Sequence, residues 1–173
     1  MMSLVEELPA PLLSQKLAWL NGYLSALGLL NSSNPVGFQC KLFAFALPAG
    51  DPDLIQPIQR CLNYHAHQLF NVYPDQADFE WQALPDWQEK LGTVLQTYLR
   101  LQAGANNQQI VDNLKLANRH FCQLLQQEFV KPETTVYELK VNLRGRFYRL
   151  LGIDLLFEIE DNQLLVLQVL GSD

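Results

Sequence analysis

Charge is scarce in this chain. Asp, Glu, Lys and Arg make up 17% of its 173 residues and sum to a net −6. A globular domain usually carries about a quarter charged residues. A chain this acidic has no bulk attraction for nucleic acid or for an anionic membrane surface. Paired cysteines are also missing. Cys40, Cys61 and Cys122 are odd in number and irregularly spaced, which speaks against a disulfide framework and for a reducing, cytoplasmic setting. No apolar run approaches the roughly 18 residues of a membrane-spanning helix. The first residues, Met1 to Glu7, bring acids where a secretion signal needs cations. Neither Gly-x-Gly-x-x-Gly nor the Walker pattern occurs, so no glycine-rich loop is offered to a phosphate. Internal repeats and low-complexity tracts are absent as well.

What fills the space is apolar residues, at 49%, and glutamine, at about a tenth of the chain. Uncharged glutamine hydrates a surface weakly, which favours contact with a protein partner or self-association. A chain of this length buries roughly two-thirds of its unfolded surface and needs no metal or disulfide to fold. The expectation is one α+β domain over 1–173, with 1–8 frayed.

Leu13, Leu17, Leu20, Leu24 and Leu27 recur at steps of three and four, which predicts a helix from Pro11 to about Leu30. Residues 36–47 read as a strand with two apolar faces from Leu42 onward, covered on both sides. A helix follows from about Pro57, with Ile58, Leu62, His65 and Leu69 on its stripe. Residues 71–85 are irregular, apart from an alternation around Phe79 and Trp81 that suggests an edge strand. Asp86 and Glu89 have the spacing of a capping box. They open a helix that carries Leu91, Val94 and Leu95 and ends near Gly104. Asn107 opens the next, with Leu114, Phe121 and Leu125 on its stripe. The short link makes the two an antiparallel hairpin.

After Pro132 the period changes from 3.6 to 2. Strands are predicted at about 137–143, 146–151, 154–160 and 164–170, and Asp161-Asn162 supplies a hairpin turn. The C-terminal 134–171 is thus a four-strand meander. The expected architecture is about four helices packed on one face of a mostly antiparallel sheet, with the strand at 36–47 joining it.

His and Cys residues invite a metal reading. Cys61, His65 and His67 lie on one predicted helix, His120 and Cys122 on another. At about 100° per residue, His65 falls within the apolar stripe and His67 points about 160° away. His120 and Cys122 diverge by the same amount, so at most one of them could meet Cys61 and His65, which leaves a three-ligand open site as the alternative to a core-edge His65 beside a buried thiol. No metal and no cofactor are expected. Cys61 and His65 are spaced as nucleophile and base, but inside a leucine stripe that substrate does not reach. Glu6-Glu7, Asp51/Asp53 and Glu160-Asp161 each have a terminal, capping or turn role. No catalytic residue is assigned.

The distinctive segment runs from Lys140 to Arg149. Lys140, Arg144, Arg146 and Arg149 are four cations with no acid among them, and Phe147 and Tyr148 sit between the last two arginines. Guanidinium forks bind carboxylate or phosphate, and aromatic rings stack on bases. Lys140, Arg144, Arg146, Phe147, Tyr148 and Arg149 are therefore the candidate anion- or partner-binding residues. The alternative is structural. Arginines on strands pair with acids such as Glu138, Asp154 or Glu158, and cations protect sheet edges.

Leu143 to Asp161, followed by Leu164 to Gln168, resembles the closing strands of RelE/ParE-type toxins: basic strands, an acidic turn and a final apolar strand. That resemblance implies, for the RelE branch, ribosome-dependent mRNA cleavage by basic and aromatic residues. This chain departs from the family in its greater size, its acidic balance and its ending in Gly171-Ser172-Asp173.

The expected function is a non-enzymatic interaction domain, an assembly factor, adaptor or regulator. It would bind an acidic partner through the basic hairpin and exposed aromatics such as Trp19, Tyr64 or Trp81. The alternative is an RNA- or nucleotide-binding protein, a ribonuclease included, that uses the same basic segment.

Overall fold

The structure is a computed structural model that describes residues 11–31, 37–47, 55–102, 108–144, 151–159 and 162–172. Its element order is α1 (Pro11–Asn31), β1 (Gly37–Ala46), α2 (Ile55–Tyr64), α3 (Ala66–Phe70), a 3-10 turn (Pro74–Gln76), β2 (Ala77–Ala83), α4 (Trp87–Gln102), α5 (Gln108–Phe129), β3 (Val136–Leu143), β4 (Leu151–Ile159) and β5 (Gln163–Ser172). The strands form a five-stranded sheet in the order β1-β5-β4-β3-β2. Every pairing is antiparallel. This is the α+β class that the change of period implied.

The strand at the head of the chain pairs with the strand at its end, Leu42 opposite Leu167 and Phe45 opposite Leu164. β5 is therefore central, and Leu164 to Leu167 and Val169 are completely buried. Its near-continuous apolar run is what a strand covered on both faces requires. The alternation around Phe79 and Trp81 is indeed an edge strand, β2, paired with β3.

Helices cover both faces of the sheet, where one face was expected. On the first, Leu20, Leu24 and Leu27 of α1, Leu91 and Leu95 of α4, and Phe121 and Leu125 of α5 meet Leu42, Ile153, Leu155, Phe157, Leu165, Leu167 and Val169. On the second, Ile58 and Leu62 of α2 and Leu69 and Phe70 of α3 meet Phe45, Leu139, Leu156, Leu164 and Val166. The physical reason lies in the strands. β1, β4 and β5 are apolar at odd and even positions alike, and burying each such side chain contributes roughly 1.5–3 kcal/mol. Three helices on one side leave the other set wet. The pair α2–α3 closes it.

The helix expected through Leu69 is interrupted at His65, which has φ −96° and ψ 11° and heads the short α3. α3 ends at Asn71 in the left-handed region, φ 55°. Gln168 of β5 donates from Nε2 to the Leu69 carbonyl at 3.1 Å, a buried bond that ties α3 to the sheet.

Of the four-strand meander, β3, β4 and β5 are described. The strand expected at 146–151 lies almost wholly outside the described residues, as do the expected helix ends at Gly104 and Asn107. Gly152 was expected between two strands and instead lies within β4. Its φ of 149° suits glycine and few other residues. Asn162 takes the positive φ expected of the β4–β5 turn, 54°.

Candidate functional site

Lys140 and Arg144 are the described members of the basic segment. Arg146, Phe147, Tyr148 and Arg149 lie outside the described residues. Arg144 follows β3 directly and its guanidinium is engaged. Nε donates to Asp78 Oδ2 at 3.2 Å and the second fork nitrogen to Asp78 Oδ1 at 2.8 Å. Its backbone N–H also donates to the Gln76 carbonyl, at 2.9 Å. The fork-to-carboxylate bonds hold the Asp78 carboxyl below its usual range and raise Arg144 in turn, with Asp75 adding to the latter. Two residue pairs along the ladder from Asp78, Lys140 stands opposite Glu80.

Basic in sequence is therefore not basic in space. β2 and the turn before it bring Asp75, Asp78 and Glu80 to the edge where Lys140 and Arg144 emerge. Of the acids named as cross-strand partners from the sequence, Glu138 and Glu158 contact other residues. Glu138 takes Lys90 of α4 at 2.5 Å. Asp154 is fully buried opposite Gln168. Glu158 accepts from the Tyr137 hydroxyl at 3.5 Å. The pairing of Arg144 was missed because its partner lies 66 residues away. The alternation around Phe79 was the available signal, since it puts Asp78 and Glu80 on the solvent side of an edge strand.

The Cys and His residues do not converge. No group of three His, Cys, Asp or Glu among the described residues is placed to hold a metal ion. Cys61 is buried, and desolvation pushes its thiol up to about 12. Cys122 is raised to about 11 for the same reason. Cys40 is also raised, by burial first and by the neighbouring Cys122 second. A thiol so strongly protonated is a poor nucleophile. His65 stacks on Phe45 with ring centroids 4.0 Å apart, and its Nδ1 lies 3.2 Å from Gln68 Oε1. It is a packed core-edge side chain.

His120 has a different setting. α1 and α5 flank an open groove of about 690 Å³, lined in part by Tyr23, Leu116, Arg119 and His120. The Tyr23 hydroxyl donates to the Ala117 carbonyl at 3.1 Å and lies 3.2 Å from His120 Nδ1. A hydroxyl donates to one partner at a time, so the roles of the Tyr23 oxygen and His120 Nδ1 depend on the ring's tautomer.

Exposed aromatics are real features of this surface. Trp19 on α1 is 52% exposed, Tyr64 on α2 57% and Tyr73 beside the 3-10 turn 66%. Trp81 is half-buried against the α2–α3 side and does not belong with them. Among the described residues, no helix is long and apolar enough to cross a membrane.

No protein-family model and no curated protein matches the chain. Among solved structures, it is similar to the crystal structure of citrus MAF1, with a TM-score of 0.52 and 11% sequence identity, over 90% of this chain and 98% of that one. At this identity the likeness is one of fold: the α+β arrangement described above is shared along nearly the whole of both chains.

Proposed function

We propose that this chain is a non-enzymatic protein-interaction domain, of the adaptor, assembly-factor or regulator kind, acting in the cytoplasm. The observation that carries the reading is the exposure of Trp19, Tyr64 and Tyr73, each more than half accessible. Rings of this type combine apolar area with a polar tip and supply much of the binding energy at protein interfaces. The basic hairpin contributes less than its sequence suggested, since the Arg144 fork is already filled by Asp78. Three free thiols fit a reducing compartment. Self-association is a form of the same activity, with a second copy as partner.

The test is site-specific crosslinking in extracts of the source cell. A photoreactive residue replaces Trp19 in one preparation and Tyr64 in another, each with and without nuclease. The expected result is one defined protein adduct that survives nuclease and is lost when the other two exposed rings are changed to alanine. Adducts that are nucleic acid, or that vanish with nuclease, would sink the reading in favour of RNA binding.

A further inference from the structure

The sheet has two edges, β1 and β2. β1 is closed at its middle by a side chain of α1. β2 has no such cover. Its pairing with β3 is regular, from Ala77 opposite Leu143 to Ala83 opposite Tyr137. Two bonds at its ends fix which backbones face β3. The Leu84 N–H donates to the Val136 carbonyl at 2.8 Å, and the Arg144 N–H to the Gln76 carbonyl at 2.9 Å. Bonded pairs recur at every second residue of an antiparallel ladder. Asp78, Glu80 and Gln82 therefore spend their N–H and C=O groups on β3. Ala77, Phe79, Trp81 and Ala83 turn theirs outward. Among the described residues no strand lies on that side, and no hydrogen bond outside the ladder reaches these four backbones. β2 carries no proline and no bulge, so its outer edge is an unbroken row of open donors and acceptors.

The side chains of β2 alternate as well. Ala77 and Phe79 pack on the α2–α3 side, with Trp81 half-buried beside them. Asp78, Glu80 and Gln82 are exposed on the other face. The Asp78 carboxylate is held by Arg144, whereas Glu80 belongs to no ion pair among the described residues. These acids act against a second copy. Antiparallel self-pairing of all seven residues of β2 sets Ala77 opposite Ala83 and Glu80 opposite Glu80. A shift that centres the pairing on Phe79 sets Asp78 opposite Glu80 twice. Like charges directly opposite one another destabilise a strand pair.

We propose that the open edge of β2 takes an extended basic segment of a protein partner as a further strand of the sheet. The segment places apolar side chains beside Phe79 and Trp81 and cations beside Asp78 and Glu80. The proposal rests on the reading of the chain as an interaction domain and names a surface and a partner chemistry. Main-chain hydrogen bonds supply affinity in this mode, and alternate side chains supply specificity. Charge selects the occupant, since Glu80 stands on a chain of net −6. RNA fits less well, because the acids that repel a second copy repel phosphate too.

The test is amide hydrogen exchange of the nitrogen-labelled full chain, followed by NMR. The probe is a peptide of alternating lysine and valine, as long as β2. One counterpart carries glutamate for lysine. Another carries N-methyl groups on the valine amides, which are the ones that face β2 in the proposed pairing. In the free chain the Phe79 and Trp81 amides are expected to exchange at least about tenfold faster than those of Glu80 and Gln82, and the lysine peptide is expected to abolish the difference. That peptide is expected to bind at least about tenfold more tightly than either counterpart. No binding of the lysine peptide, equal binding of a counterpart, or binding that leaves Phe79 and Trp81 unprotected each overturns the proposal. Protection of Phe79 and Trp81 that rises with the concentration of the free chain would give the edge to a second copy instead. Binding that moves only the signals around Trp19, Tyr64 or Tyr73 would remove this surface and leave the interaction reading standing. Crosslinking from Trp19 and Tyr64 is independent of these outcomes, so the two readings fail separately.

Discussion

The side-chain amide of Asn21 closes a ring of two hydrogen bonds with the backbone of Leu42. Asn21 Nδ2 donates to the Leu42 carbonyl at 2.8 Å, and the Leu42 N–H donates to Asn21 Oδ1 at 2.9 Å. Leu42 lies midway along β1, the strand at one edge of the sheet. In an antiparallel ladder alternate residues turn their N–H and C=O outward, and Leu42 is one of these. One carboxamide thus does for β1 what a further strand would do. It seals the middle of an edge that would otherwise template pairing with another chain.

Replacing Asn21 with alanine removes both bonds at once and leaves two partly buried backbone groups short of a partner. The expected loss is about 1–3 kcal/mol, read from denaturant unfolding. Light scattering is expected to show more self-association at high concentration in the variant than in the wild type. A variant that is as stable and as dispersed as the wild type would show that the pair does not guard the edge.

The Asp78–Arg144 pair predicts a pH response. The folded-state pKa of Asp78 lies below its ordinary value of 3.8, chiefly through the hydrogen bonds from Arg144. A depressed carboxyl stabilises above its unfolded pKa, and that contribution disappears as pH falls through the folded value. The gap in stability between wild type and Asp78→Asn is therefore expected to be constant near neutrality and to close as pH falls below about 4. Both side chains are largely exposed, so the gap is small and shrinks with salt. Thermal melts over a pH series at two salt concentrations check it. A gap that widens in acid contradicts the assignment.

The cysteines predict the opposite sign at the alkaline end. Cys61 is raised from 9.0 to about 12 and Cys122 to about 11. A raised thiol keeps its full stabilisation below the unfolded pKa and loses it as pH rises towards the folded value. Stability is expected to fall from about pH 9 upward, and less steeply in Cys61→Ala. In the native state at pH 8 the buried thiols are expected to react with a disulfide reagent at least about a hundredfold more slowly than in denaturant, where all three titrate. Rapid native labelling of Cys61 or Cys122 would contradict their burial.

The two-sided core predicts comparable damage from either face. Phe121 on α5 and Leu62 on α2 are both completely buried. Phe121→Ala is expected to cost about 3–5 kcal/mol and Leu62→Ala about 2–5 kcal/mol. The sheet lies between them, so the double variant is expected to be near the sum. Urea unfolding of the single and double variants measures this. A negligible cost for Leu62→Ala would mean that α2 does not close the second face.

The elements that depend on near neighbours in the chain were legible from the residues alone. The leucine stripe of α1, the alternation of β3 and the turn at Asn162 all appear where periodicity and turn chemistry place them, because helix and strand repeats are local constraints. The double apolar character of β1 already pointed to a strand covered on both sides. Which helices supply that cover was decided by the sheet order, β1-β5-β4-β3-β2, which joins the first strand to the last. Tertiary structure likewise gave Arg144 its carboxylate from β2, and Leu42 its seal from α1. Local pattern determines what each segment becomes. The partner of each charge and each open edge depends on contacts between segments far apart in the chain, and those exist only once the sheet has closed.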